Sequence, residues 1–140
     1  MKTTLADIKA LIKTKLESID EIADTFDYPI GEFKEYPVAV ILDSGMTGEE
    51  IDTARNQRVF HYIVSLYQEQ TKAGKSAEEA SGVMERLADK VIIAFDQDPD
   101  LGGEVMRVSV VESSFDFKTA PGTFNFATFK IDVLAIVQNY

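Results

Sequence analysis

Arg58-Val59-Phe60-His61-Tyr62-Ile63-Val64-Ser65-Leu66-Tyr67 alternates without a break. Phe60, Tyr62, Val64 and Leu66 fall on one side, and Val59, His61, Ile63, Ser65 and Tyr67 on the other. A strand points successive side chains to opposite faces, so this is one long strand, taken over Gln57 to Gln70, with a clearly apolar face. A half-buried strand of this kind needs partner strands and a layer to cover its apolar side. The rest of the chain supplies both.

Upstream, Val38-Ala39-Val40-Ile41-Leu42 is a compact apolar run bounded by Tyr36-Pro37, read as a buried strand. Ile22 to Phe26 is a short strand, and Tyr28-Pro29-Ile30-Gly31 a turn. Leu5, Ile8, Leu11, Ile12 and Leu16 recur at three- and four-residue spacing, the apolar stripe of a helix. Thr4 is its N-cap, with Asp7 three residues on. Downstream, Ser76-Ala77-Glu78-Glu79 is a capping box that opens a second helix. Its stripe is Ala80, Val83, Met84, Leu87, Val91 and Phe95. Two or three strands follow, with Met106, Val108 and Val110 alternating, then Phe115 and Phe117. Ala120-Pro121-Gly122 is a turn before a last strand from Thr123 to Val137.

The order is helix, strands, helix, strands. It predicts one α+β domain over residues 1–140, with two helices packed on one face of an antiparallel sheet. A chain of 140 residues buries roughly two thirds of its unfolded surface, enough for one core without staples.

Between Leu42 and Gln57 lies a polar stretch with two glycines, Gly45 and Gly48. It is expected to be a long connection over Asp43 to Asn56, a projecting hairpin arm. Asp43, Met46, Glu49, Glu50, Ile51 and Arg55 are its candidate contacts with a subunit or partner. Phe124 and Phe126 share parity with the polar Thr128 and Lys130, opposite Phe129. One face of that strand is core. The other leaves two phenylalanines either overhanging the core or covered by another subunit, and both readings stay open.

The composition excludes several functions. There are 24 acidic against 14 basic residues, a formal net charge of -10, and no Lys/Arg cluster. A protein that grips duplex DNA carries a basic face. An acidic surface that DNA slides past is compatible with the same charge, because like charges repel. Cysteine is absent, so disulfides, thiolate metal sites and cysteine nucleophiles are absent too. No stretch approaches the roughly 18 apolar residues of a spanning helix. The N-terminus lacks the continuous apolar run of a signal peptide, so the chain is expected in the cytosol where it is made.

Catalytic motifs are missing. His61 is the single histidine, mid-strand, and no G-x-S-x-G elbow accompanies it. Asp96, Asp98 and Asp100 begin like a calcium loop, but Leu101 stands at its glycine position and Arg107 at its final glutamate. Gly102-Gly103 lacks a following Walker lysine and is expected to supply positive φ at a turn. Among the acids, no pair stands out for glycoside chemistry. No catalytic, cofactor-binding or metal-ligating residue is assigned.

The order of features resembles the tail terminator, or tail completion, proteins of long-tailed bacteriophages and related neck proteins. The resemblance runs over nearly the whole chain. It rests on the N-terminal amphipathic helix, Tyr36-Pro37-Val38-Ala39-Val40, the polar loop and the alternating strand Arg58 to Tyr67. A helix ending Val91-Ile92-Ile93-Ala94-Phe95, then Asp100-Leu101-Gly102-Gly103 before Val105 to Val111, and a long final strand complete it. The resemblance implies a non-enzymatic virion protein that forms a ring, typically a hexamer, on the head-proximal end of the tail tube. Such a ring stops tube polymerisation and joins the head. Its partners are copies of itself, tail tube protein and head-neck connector proteins, with DNA passing through unbound. It implies no cofactor, and residence in the virion tail or neck and in the host cytoplasm during assembly. Two other classes fit the same composition: a small-ligand-binding or regulatory α+β domain, and a metal-dependent hydrolase using Asp96 to Asp100.

Overall fold

The computed structural model describes residues 4–29, 35, 37–50, 55–69, 77–118 and 124–138, with the side chains at 49–50, 55–56, 69, 77–81, 115–118, 124–126 and 137–138 excepted. Its elements are α1 (Leu5–Glu17), β1 (Asp24–Phe26), β2 (Val38–Glu50), β3 (Arg55–Glu69), α2 (Ala77–Asp96), β4 (Arg107–Lys118) and β5 (Phe124–Gln138). The strands form a five-stranded sheet in the order β1-β2-β3-β5-β4. This is the expected α+β fold. The sheet is mixed, because β1 pairs with β2 in parallel and the other pairs are antiparallel.

Helix α1 begins where the sequence predicts. The Thr4 hydroxyl accepts the Asp7 N–H at 3.2 Å, satisfying one of the free donors of the first turn. Ile8, Ile12 and Leu16 are fully buried, and Leu5 and Leu11 pack against the same core. On α2, Met84, Leu87, Ala88, Val91 and Phe95 are buried. The expected capping serine, Ser76, lies outside the described residues. Both helices lie over the sheet, α1 on β1 and β2, α2 on β3, β5 and β4.

Register carries the core across the sheet. Phe60, Tyr62, Val64 and Leu66 of β3 oppose Val133, Ile131, Phe129 and Ala127 of β5, all at most 2% exposed. Ala39 and Ile41 of β2 oppose Leu66 and Val64. Tyr62 reaches past this layer, and its hydroxyl donates to the Leu5 carbonyl at 3.0 Å. Burial pushes the Tyr62 phenol far up, and the Asp43 charge adds to the effect.

Three turns and bulges need unusual backbone. After α2, Leu101, Gly102 and Gly103 have φ of 48°, 71° and 85°. The glycines adopt this as expected. Leu101 adopts it while 6% exposed, so burial of its side chain holds a conformation costly for a residue with a Cβ. In β2, the register shifts between Asp43 and Met46, and Gly45 takes a φ of 103°. In β4, the register shifts between Val110 and Glu112.

The first bulge corrects the expectation for residues 43–56. They are not one long connection: β2 continues through the bulge to Glu50, and β3 begins at Arg55. Thr47, Gly48, Glu49 and Glu50 pair with Val59, Arg58, Gln57 and Asn56. β5 flanks β3 as far as Arg55 opposite Gln138. A projecting arm is not seen in the described residues; its tip, 51–54, lies outside them. Beyond β1, this part of β2 borders no other described strand on its outer side. Polar residues and a bulge there are what an open sheet edge carries to avoid indiscriminate pairing. β4 runs through the second bulge from Arg107 to Lys118, so two strands follow α2, the lower of the two numbers expected.

Candidate interaction surface

The candidate contact residues fall into two groups. Asp43 ends the first leg of β2 opposite Tyr62, and its carboxylate pairs with Lys9 of α1 at 3.2 Å. Met46 follows the bulge opposite Phe60 and is 48% exposed. Glu49 and Glu50 are in register with Gln57 and Asn56, and Arg55 opens β3 opposite Gln138. Ile51 lies outside the described residues. Phe124 and Phe126 are in register with Glu69 and Tyr67 on β3, and with Lys118 and Asp116 on β4.

The structure does not bring these groups together. Arg55–Gln138 and Glu69–Phe124 are the two end pairs of the β3–β5 ladder. Fourteen strand steps separate them, roughly 48 Å at about 3.4 Å per residue. Arg55 and Phe124 therefore mark opposite ends of the β3–β5 ladder, whereas Asp43 and Met46, opposite Tyr62 and Phe60, lie nearer the Tyr67–Phe126 pair, roughly 17 and 24 Å along the strand.

Between them lies the face of the sheet turned away from the helices. Val59, His61 and Ile63 of β3 share it with Lys130, Asp132, Leu134 and Ile136 of β5, and with Leu42 and Thr47 of β2. Leu42, Val59, Ile63, Leu134 and Ile136 are partly exposed. At its centre His61 Nδ1 stands 2.6 Å from Asp132 Oδ1, directly across the β3–β5 pair. His61 Nε2 is 3.4 Å from Thr47 Oγ1 on β2. In the neutral imidazole, Nδ1 donates to the carboxylate and Nε2 accepts from the hydroxyl. This array was not legible in the sequence, because Asp132 is 71 residues from His61 and cross-strand register decides their meeting.

Hydroxyl, imidazole and carboxylate in line are the components of acyl-transfer catalysis. Their setting differs from an active site. A nucleophile works in a concavity that holds substrate against oxyanion donors. His61 and Asp132 sit on an open sheet face, each side chain 31% exposed. The hydroxyl contact is at the outer limit of a hydrogen bond. A groove is present on the helix side instead, lined by Glu21, Pro37, Gln68, Val83, Arg86, Leu87 and Lys90. Its volume of about 220 Å³ is below the ~300 Å³ at which small-molecule pockets begin. Lys90 on its rim hydrogen-bonds Glu21 and holds that carboxyl below its usual range.

The acidic turn after α2 is used internally. Asp98 Oδ2 pairs with Lys15 at 2.7 Å and Oδ1 accepts the Gly102 N–H at 2.9 Å. Among the described residues, no three His, Asp or Glu side chains are grouped to hold a metal ion. No described helix is long and apolar enough to cross a membrane. Comparison of the chain with known protein families and with curated proteins finds no match.

Proposed function

We propose that this protein is a non-enzymatic assembly component, a ring-forming protein of the phage tail terminator kind. The observation that carries the reading is the spread of its candidate contact residues along one sheet, from Arg55 at one end of the β3–β5 ladder to Phe124 at the other, roughly 48 Å apart. A closed ring repeats a head-to-tail contact, so each copy needs two different surfaces well apart from each other. A two-fold dimer would use the same patch twice.

Other features agree. The long β2–β3–β5 ladder gives a rigid path between the two contact ends. An acidic chain of net charge -10 suits a lumen past which DNA slides without sticking. In this reading the ring caps the head-proximal end of a tail tube, ends its polymerisation and presents the head-joining surface. Its partners are further copies, tail tube protein and neck connector proteins.

Electron microscopy of the concentrated, purified chain tests the proposal. Annular particles with a central opening are expected. Fields holding only compact particles of single-chain size at every concentration count against it.

A further inference from the structure

We draw no further inference here: the strongest candidate, the open sheet face around His61 and Asp132, carries Asp24, Glu112 and Asp132 against Arg107 and Lys130 and so is acidic like the chain as a whole, and nothing in the structure shows what covers it.

Discussion

Lys15 Nζ in the last turn of α1 stands 2.7 Å from Asp98 Oδ2, in the turn that follows α2. The same carboxylate accepts the Gly102 N–H at 2.9 Å. One side chain thus ties the end of the first helix to the turn that launches β4. It also fixes the backbone where Leu101 and Gly102 take positive φ.

The hydrogen bond from Lys15, and then that from Gly102, hold the Asp98 carboxyl below its usual range. A depressed folded-state pKa gives stability that is present above the unfolded value, near 3.9, and is lost as pH falls through the folded one. The side chains are about a quarter to a third exposed, so solvent screens the ion pair and the effect is modest. Asp98→Ala is expected to cost about 1–2 kcal/mol at neutral pH, from the lost turn hydrogen bond and the lost pair. The cost should shrink in acid. Urea unfolding of both proteins at neutral pH and at about pH 2.5 measures it.

Tyr62→Phe removes the hydroxyl that donates to the Leu5 carbonyl and leaves the packing intact. The expected loss is about 1 kcal/mol, the net value of one such bond. The raised phenol pKa gives stability that is complete below the unfolded tyrosine value, near 10, and declines as pH rises toward the folded one. Alkaline unfolding of the parent should therefore coincide with a late tyrosine ionisation that the Phe variant lacks.

Much of this architecture was visible in the residues, and the exceptions share a cause. The Thr4 cap, the Ile8–Ile12–Leu16 stripe and the alternation of Phe60 to Leu66 depend on local spacing, and each stands where spacing places it. Ser44 and Gly45 broke the two-residue period in β2, so paired strand looked like a long loop. The register shift after Val110 similarly left the sequence open between one strand and two over β4. The parallel direction of β1 and the meeting of Thr47, His61 and Asp132 depend on pairing, which no local pattern encodes. For the same reason the sequence pointed to Asp43–Arg55 and to Phe124 and Phe126 as candidate contacts without showing that Arg55 and Phe124 stand at opposite ends of one ladder.

The β2 bulge gives a direct comparison of two glycines. Gly45 has φ of 103° and open space where a Cβ would stand, so Gly45→Ala is expected to cost about 1–2 kcal/mol from backbone strain alone. At Gly48 the Arg58 side chain occupies the Cβ position, and a flexible arginine can move aside. Gly48→Ala should cost less than Gly45→Ala, as thermal unfolding of the pair will show.

The contact ends should separate assembly from stability. Reversing charge with Glu49→Lys and Glu50→Lys changes polar positions at the end of β2, and is expected to alter folding stability by no more than about 0.5 kcal/mol. On the proposed assembly reading, in which these residues are candidate subunit contacts, self-association should nevertheless change. Chemical denaturation and light scattering on the same samples read the two effects independently.

The central claim, that this chain works by assembling with copies of itself, is tested most directly by its mass in solution across concentration and salt. A closed species near six times the 15.6 kDa chain, favoured as salt screens the net charge of -10, is the expected result. A chain that remains a monomer at every concentration and salt would contradict it.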